Sequence, residues 1–280
     1  MGFWPNSEEF THHRSRDFRN CFRQVQSDLR KIFNLSTEEW DVLLVPMNGS
    51  LAIECVIRTF GGSVRVKTEG AFSERVRQVH HESTAPWSFG VLHETNDSRI
   101  CDVSDCDIVD AVSALPYFEF PRQAKAVVTV SSKQFGAATI WSLVMIRRDY
   151  WKQVDPLDGY LNLQRYRDFA SIGETPCTPA ISALFSLREK LECFDRNEFR
   201  NRISDRYTKL SEAVLGIGGE IKGEAPALTF RLPMGTRIDS DWFWKPPGEE
   251  GWLQAFLWSG SDSEVEELLQ QLNQVPTKAP

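Results

Sequence analysis

Apolar residues recur every three or four positions between residues 15 and 33, and this repeat places them on one face of a helix. That face comprises Phe18, Phe22, Val25, Leu29 and Phe33. Comparable patterns predict further helices at 51–60, from within 68–75 onward, and at 178–191, 197–215 and 263–272.

Short apolar runs alternate with these helices through the first half of the chain. They predict strands at 42–45, 63–67, 89–92, 108–109, 126–130 and 142–146, and a second group at 227–232 and 253–258. The stretch 150–173 shows no pattern and is predicted to be irregular. Strands that alternate with helices favour a parallel sheet. The sequence therefore predicts an α/β fold, with a large domain (1–200) on a mostly parallel sheet and a small C-terminal α+β domain (201–280).

Composition narrows the class of protein without naming a function. The 280 residues are 41% hydrophobic and 25% charged, as in ordinary globular proteins. No window approaches an apolar run of about 20 residues, and the N-terminus has neither a basic start nor an apolar core, so we predict neither a membrane span nor a signal peptide. A net charge of −7 argues against a protein whose main function is to bind the phosphates of nucleic acid. Nucleic acid is therefore expected, if at all, only as a carrier of the substrate.

The six cysteines are scattered along the chain and form no C-x-x-C pair. This spacing favours free thiols in a reducing compartment over a disulfide framework or a zinc site. We therefore predict a cytoplasmic protein without a bound metal ion.

Two of the predicted strands end next to a residue that could serve a cofactor. Asp110 follows the run 108–109, and Lys133 follows the run 126–130. Pyridoxal phosphate (PLP) chemistry needs such a pair, because a lysine forms the Schiff base and an aspartate keeps the ring nitrogen protonated so that the ring accepts electrons. Many α/β proteins carry Asp and Lys after strands, so the pair alone does not establish a cofactor.

Three other segments have the composition of a binding site. Around 46–50, a strand, a small polar turn and a helix could hold a phosphate on backbone N–H groups; the alternative is an ordinary turn with Ser50 as the helix cap. Phe72, near another helix start, could stack on a flat ring or belong to the core. The polar cluster at 93–98 follows a strand, which is where α/β folds place ligands.

Seven short motifs occur in the order found in one known family. They are HHRSRDF at 12–18, NGS at 48–50, TEGAFSERV at 68–76, HETNDS at 93–98, VDAVSAL at 109–115, SSKQFG at 131–136 and TPCTPAISALFSLREKL at 175–191. Each motif is loose alone, but seven in this order are hard to obtain by chance, and the resemblance covers roughly residues 10–272. The chain resembles the class V aminotransferases of PLP fold type I, a group that includes phosphoserine, alanine–glyoxylate and 2-aminoethylphosphonate transaminases, as a shortened member.

The resemblance implies the cofactor and the residues that hold it. Lys133 would form the Schiff base with PLP and later act as the base that moves a proton, and Asp110 would be the partner of the pyridine nitrogen. The other implied cofactor contacts are Phe72 on the ring, Thr95 at the ring hydroxyl, and Asn48, Gly49, Ser50 and Ser132 at the phosphate.

The resemblance also implies a second subunit and a substrate site. Thr178 and Thr175 match positions that reach the phosphate of the neighbouring subunit's cofactor, which implies a homodimer with shared active sites. His13 and Arg14 match a His-Arg pair that helps to hold the substrate phosphate in phosphoserine transaminase. The alternative for Arg14 is a solvated surface charge.

The C-terminal strand departs from the family pattern. Family members generally carry there an arginine, in an R-I-G-like motif, that binds the substrate α-carboxylate. This chain reads WLQAFLW at 252–258, and its nearest arginines, Arg231 and Arg237, precede a loop rich in Trp and Pro. A carboxylate held in the cofactor plane selects cleavage of the Cα–H bond, because only a bond perpendicular to that plane can pass its electrons to the ring. Without the arginine, the substrate has no carboxylate there, or its carboxylate stands out of plane and can leave as carbon dioxide.

These observations leave three functions open. The first is a PLP-dependent aminotransferase with an atypical amino donor. The second is a PLP-dependent decarboxylase or lyase that acts on an unusual or macromolecule-attached amino acid. The third is a non-catalytic relative that kept the fold for binding or assembly. In both enzymatic cases the substrate carries an amino group.

Overall fold

The computed structural model describes residues 12–154, 156, 158–236, 238, 242–246, 248 and 250–275. Its helices are α1 (Arg16–Phe33), α2 (Gly49–Thr59), α3 (Ala71–His80), α4 (Leu163–Ala170), α5 (Ile181–Glu192), α6 (Arg196–Gly216) and α7 (Asp262–Asn273). Its strands are β1 (Trp40–Val45), β2 (Arg65–Val66), β3 (Ser88–Val91), β4 (His93–Glu94), β5 (Arg99–Ile100), β6 (Ile108–Asp110), β7 (Ala126–Val130), β8 (Ser142–Arg147), β9 (Glu220–Lys222), β10 (Ala227–Arg231), β11 (Phe243–Trp244) and β12 (Leu253–Phe256).

The predicted helices and strands are present, with ends that shift by a few residues, and the structure adds the short strands β4, β5, β9 and β11. The prediction that 150–173 is irregular is wrong, because this stretch contains α4. Only Leu163, Tyr166 and Ala170 of this helix are buried. An eight-residue helix with three buried residues is too short for its repeat to stand out in the sequence.

Contacts group the chain into two compact units, which comprise residues 1–62 with 125–194, and residues 63–124 with 195–280. We call them the first and the second unit. This grouping does not test the predicted domain boundary near residue 200, which stays a prediction.

The first unit is built on three strands. The strand β8 lies between β1 and β7 and pairs antiparallel with both, so β1 and β7 run in the same direction. The helix α1 packs against α5 and β1 with the predicted apolar face, on which Phe18, Phe22 and Val25 are fully buried. Its start is capped by Ser15, whose side chain accepts a hydrogen bond from the N–H of Phe18.

The second unit contains two kinds of sheet. The strands β2, β3 and β6 pair in parallel. Near the C-terminus, four antiparallel strands in the order β11-β12-β10-β9 form a separate sheet, against which α6 packs, and α7 packs on α6. The predicted class is confirmed: the protein is α/β, its main sheet is mostly parallel, and a small α+β region lies at its C-terminus.

The composition also led to predictions about membrane spans and about the cysteines. No helix in the described part of the chain combines the length and the apolar character needed to cross a membrane. All six cysteines are free thiols in the structure.

Candidate functional site

Lys133 lies in the loop that joins β7 to β8, just past the carboxyl end of β7. Before it, the N–H of Ser131 donates to the carbonyl of Trp141 at 2.9 Å. After it, the buried ring of Phe135 packs edge-on against Phe33, with 6.2 Å between ring centroids. These contacts on both sides fix the backbone that carries the half-buried Lys133 side chain.

The helix α2 begins directly after β1. Asn48 caps it, since its side chain accepts a hydrogen bond from the N–H of Leu51 at 3.0 Å. The alternative in which Ser50 is the cap is therefore wrong. Gly49 is half-buried and Ser50 is exposed, and the first amides of a helix have no acceptor within it. An anion at this turn would meet those amides at the positive end of the helix dipole.

Hydrogen bonds link three loops of the first unit at one edge of its strands. The hydroxyl of Ser142 donates to the carbonyl of Met47 at 2.8 Å, and the indole N–H of Trp141 donates to the carbonyl of Ala180 at 3.3 Å. The carboxyl ends of β1 and β7 lie at this edge, because both strands oppose β8. The structure thus brings the lysine loop, the start of α2 and the loop before α5 together.

The two threonines predicted to reach a neighbouring subunit differ in exposure. Thr175 is only 1% exposed, and its hydroxyl donates to the carbonyl of Cys177 at 2.7 Å. Thr178 is exposed. Of the two, Thr178 is therefore the one placed to contact a group outside its own chain. Ser132, directly before the lysine, is half-buried.

His13 and Arg14 lie just before α1, beside a buried carboxylate. Glu174 is 5% exposed and accepts a hydrogen bond from Nε of Arg19 at 2.8 Å, while Nε of Arg14 lies 4.0 Å from it. The Arg14 side chain is 60% exposed. Partial burial, and then the charges of His12 and Arg14, lower the pKa of His13, against the opposing effect of Glu174. His13 and Arg14 therefore present an exposed guanidinium and an imidazole that is neutral at pH 7.

Sulfate binding at this group is expected to strengthen as the pH falls below about 6.5, the ordinary pKa of histidine. His13 gains its charge only below its lowered pKa, whereas sulfate keeps its two charges throughout. Calorimetric titration between pH 7.5 and pH 5 measures the change. The variant His13→Gln should lose this pH dependence and His80→Gln should keep it; an unchanged pH dependence in His13→Gln would contradict the assignment.

In the second unit, Asp110 is the last residue of β6 and is 5% exposed. Its carboxylate accepts a hydrogen bond from the N–H of Val112 at 2.9 Å, and its carbonyl accepts one from the N–H of Leu92 at 2.9 Å. Its partner in the parallel register is Val91. The orientation of the Asp110 carboxylate at the strand end is therefore fixed by a backbone N–H two residues later in the chain.

Thr95 lies directly after β4 and is 4% exposed. Its hydroxyl donates to the hydroxyl oxygen of Ser113 at 2.8 Å, and the same oxygen lies 2.9 Å from Nδ1 of His93. Ser113 follows Asp110 by three residues. These bonds connect Thr95 to the segment that carries Asp110, so the structure links the two segments on which these predicted site residues lie.

Glu94 directly precedes Thr95 and lies in the polar cluster predicted at 93–98, but the sequence did not indicate its particular role. Its carboxylate, 1% exposed, accepts hydrogen bonds from the N–H of Phe72 at 3.1 Å, the N–H of Ser73 at 2.9 Å and the hydroxyl of Ser73 at 2.7 Å. Phe72 is half-buried, and the guanidinium carbon of Arg75 lies 4.9 Å from the centre of its ring. Phe72 is therefore not a fully buried core residue, and Glu94 fixes its backbone.

Gly70 permits this approach, and its replacement by alanine is expected to destabilise the protein by about 2–4 kcal/mol. Its φ is +131°, and a Cβ would lie 2.3 Å from Cδ of Glu94. Urea denaturation measures the loss. Gly159→Ala is the matched control, because its φ is +122° and a Cβ there would meet nothing within 4 Å, so it should lose only about 1 kcal/mol. Equal losses would show that the contact with Glu94 has no effect.

The strand β12 lies in the region where the family pattern has an arginine, and it contains a glutamine whose side-chain amide is buried. Gln254 in β12 is 0% exposed, and its amide nitrogen lies within hydrogen-bond distance of the carbonyl of Thr95, of Oγ of Ser98 at 3.0 Å and of Oγ1 of Thr229 at 2.8 Å. These internal acceptors occupy the amide donors. Gln254 therefore positions the turn that carries Thr95 and does not replace the missing carboxylate ligand. A polar residue in a strand ordinarily faces solvent, so only the tertiary partners reveal this role.

The arginines nearest to that strand in the sequence do not take over the role either. Arg231 lies 2.6 Å from the carboxylate of Glu220, and its guanidinium carbon is 5.2 Å from the centre of the Trp252 ring. Arg237 lies outside the described residues. The described part of the C-terminal sheet thus presents Arg231 in an ion pair and Gln254 in an internal network.

No family model and no curated protein matches the sequence. Solved structures do match the fold. An aspartate aminotransferase of subgroup IV from Thermus thermophilus has a TM-score of 0.80 at 17% identity, over 95% of this chain and 94% of that one. A phosphoserine aminotransferase from Cytophaga hutchinsonii has a TM-score of 0.79 at 16% identity, over 95% of this chain and 91% of that one. A PLP-bound phosphoserine aminotransferase from Trichomonas vaginalis has a TM-score of 0.75 at 15% identity, over 97% of this chain and 93% of that one. The resemblance seen in the sequence thus extends to the fold, which this chain shares with these aminotransferases.

Proposed function

We propose that the protein is a PLP-dependent enzyme, and that it is an aminotransferase with an atypical amino donor. The observation that carries the proposal is the position of Lys133. It is half-buried just past the carboxyl end of β7, in a loop fixed by hydrogen bonds at the edge where α2 begins. Support comes from the fold, which is shared with aminotransferases, one of which is described as PLP-bound.

The first unit fits the phosphate and the aldehyde of PLP. A phosphate dianion requires donors and positive potential, and the amides of Gly49 and Ser50 at the start of α2 supply both. Gly49 has no side chain to block the approach. The hydroxyl of Ser132, on the neighbouring loop, would be a further donor, and the amine of Lys133 would hold the aldehyde by condensing with it, with loss of water. Asn48 contributes through the helix cap, which holds the turn in shape.

The second unit fits the ring. Asp110 is a buried carboxylate already oriented by the N–H of Val112, and it would hold a proton on the ring nitrogen. The half-buried ring of Phe72 would stack on the cofactor ring. Thr95 would contact the ring hydroxyl, since a threonine hydroxyl that donates to Ser113 can still accept a hydrogen bond.

The bound cofactor supplies an electron sink for the electron pair left at the substrate Cα when a bond there breaks. Asp110 makes that sink effective, because its negative charge favours the protonated ring nitrogen. Lys133 then acts as the base whose Nζ moves a proton at Cα. His13 and Arg14 would bind an anionic group of the substrate.

A PLP-dependent decarboxylase or lyase is the second candidate, and Gln254 favours it. The strand β12, LQAF, contains no Lys or Arg, and the neutral amide of Gln254 is occupied within its own unit, so β12 offers no group that would hold a substrate carboxylate in the cofactor plane. The two reactions differ in their products. An aminotransferase converts bound PLP to pyridoxamine phosphate when an amino donor is added, whereas a decarboxylase releases carbon dioxide and leaves the cofactor as PLP.

The active form in this proposal is a cytoplasmic homodimer with shared sites. The exposure of Thr178 before α5 supports the dimer, and the six free thiols support a reducing compartment. Absorption spectra during a PLP titration test the function itself. We expect uptake of one PLP per chain with a visible absorption band; a protein that stays colourless at excess PLP would instead be a non-catalytic relative.

A further inference from the structure

A buried carboxylate holds the start of α3 in the second unit. Both oxygens of Glu94 are used: Oε2 accepts the N–H of Phe72 at 3.1 Å, and Oε1 accepts the N–H and the hydroxyl of Ser73 at 2.9 Å and 2.7 Å. The positive end of the α3 dipole adds a favourable interaction. Gly70 lacks the Cβ that would otherwise overlap with Glu94.

A helix start does not require such an arrangement. A Ser, Thr, Asp or Asn at the cap position can satisfy one of the first amides locally, as Ser15 and Asn48 do for α1 and α2. At α3 the cap residue is Gly70, which makes no side-chain hydrogen bond. The amides of Phe72 and Ser73 are instead bonded to a residue 22 and 21 positions later in the chain, whose charge is removed from water at a cost in free energy. The result is a fixed link between α3 and the segment after β3.

This link joins two residues assigned to the cofactor ring. Glu94 directly precedes Thr95 in the sequence, and it holds the amide of Phe72. We propose that Glu94 is a positioning residue for PLP, which sets the ring of Phe72 in a fixed relation to Thr95. This inference rests on the proposed function, because it assigns to Glu94 the placement of a group that contacts the same cofactor.

The variant Glu94→Gln separates this role from simple capping. A glutamine has one oxygen instead of two, so it can keep the two bonds to Ser73 only by turning its NH₂ group toward the N–H of Phe72. Two donors then face each other, and the bond at Phe72 is lost while side-chain volume is kept. We expect PLP to bind about tenfold more weakly, as for the loss of one hydrogen bond to a charged acceptor.

The matched control is Ser73→Ala. It removes the hydroxyl's bonds to Oε1 of Glu94 and to the hydroxyl of Thr68 but leaves both amide bonds to Glu94, so Phe72 stays in place. Its PLP affinity should remain within about twofold of the wild type, because neither of the two lost bonds holds Phe72.

A double-mutant cycle with Phe72→Leu tests the inference. PLP dissociation constants are measured by absorption for the wild type, Glu94→Gln, Phe72→Leu and the double variant, and thermal unfolding confirms that each is folded. If Glu94 acts through Phe72, the tenfold effect of Glu94→Gln disappears in the Phe72→Leu background. If the two effects multiply, Glu94 does not position Phe72 and the inference is overturned.

Hydrogen exchange of the cofactor-free protein gives an independent readout. The amide of Phe72 should exchange faster in Glu94→Gln than in the wild type or in Ser73→Ala, and an unchanged rate would overturn the inference even where PLP binds normally. A wild-type protein that takes up no PLP would overturn the proposed function and this inference together. Uptake by the wild type with multiplicative effects would overturn this inference alone.

Discussion

Asp110→Asn should lower turnover by about 10²–10³-fold, the size of effect seen when a preorganised electrostatic group is removed from an active site. An amide carries no negative charge and cannot favour the protonated ring nitrogen. The fold should survive, because the Asn side-chain oxygen can still accept the hydrogen bond that the carboxylate accepts from Val112. Turnover is measured with the amino donor that the wild type uses fastest, and PLP affinity is measured by titration on the same samples.

The control for this variant is Asp107→Asn. Asp107 lies one residue before β6, and its carboxylate accepts hydrogen bonds from the N–H and the hydroxyl of Ser88. It has the same chemistry as Asp110 but serves the packing of two segments, so its loss should lower stability and leave turnover within about threefold, as for a residue outside the reacting centre. Equal losses of turnover in the two variants would show that Asp110 has no special role.

Lys133→Ala should lower turnover by about 10³-fold or more, because the variant lacks both the amine that attaches to the cofactor and the base that moves a proton at the substrate Cα. Added methylamine should restore part of the activity, since a small amine can occupy the space of the missing side chain. Such rescue would separate a chemical loss from misfolding.

Lys125→Ala is the matched control for this prediction. The two lysines flank the same strand, with Lys125 before β7 and Lys133 after it, and Nζ of Lys125 lies 4.7 Å from the centre of the Tyr150 ring. Its removal should leave turnover and the methylamine response unchanged. A Lys125 variant that loses turnover as strongly as Lys133→Ala would contradict the assignment.

The parts of the fold that depend on local pattern were predictable from the sequence. The predicted apolar positions of α1 are each confirmed as buried. A helix that buries one face must place apolar residues at every third or fourth position, so the pattern is visible in the sequence. The apolar runs of β1, β7 and β8 are confirmed as well, since their apolar residues are all buried; the buried polar residues Asp41, Thr129 and Ser142 lie at or near the ends of these strands. The reversal of β8 relative to β1 and β7 was not predictable, because an apolar run looks the same in either direction.

The candidate site divides in a similar way. Lys133 and Asp110 could be singled out because each follows an apolar run, and the resemblance supplied their roles. The sequence singled out the cluster 93–98 that contains Glu94, but the roles of Glu94 and Gln254 could not be predicted. Those roles depend on partners distant in sequence: the start of α3 for Glu94, and the turn at Thr95 for Gln254. Even the cap of α2, a local feature, could not be assigned from the sequence. Asn48 and Ser50 are both good cap residues, and only the geometry selects Asn48.

The central claim is that Lys133 holds PLP, and covalent trapping tests it most directly. The protein is incubated with PLP, reduced with borohydride, digested and analysed by mass spectrometry, in parallel for the wild type, Lys133→Ala and Lys125→Ala. We predict one reduced adduct on the peptide that contains Lys133 in the wild type and in Lys125→Ala, and no adduct in Lys133→Ala. An adduct that persists undiminished in Lys133→Ala, or that lies on another lysine of the wild type, would contradict the account.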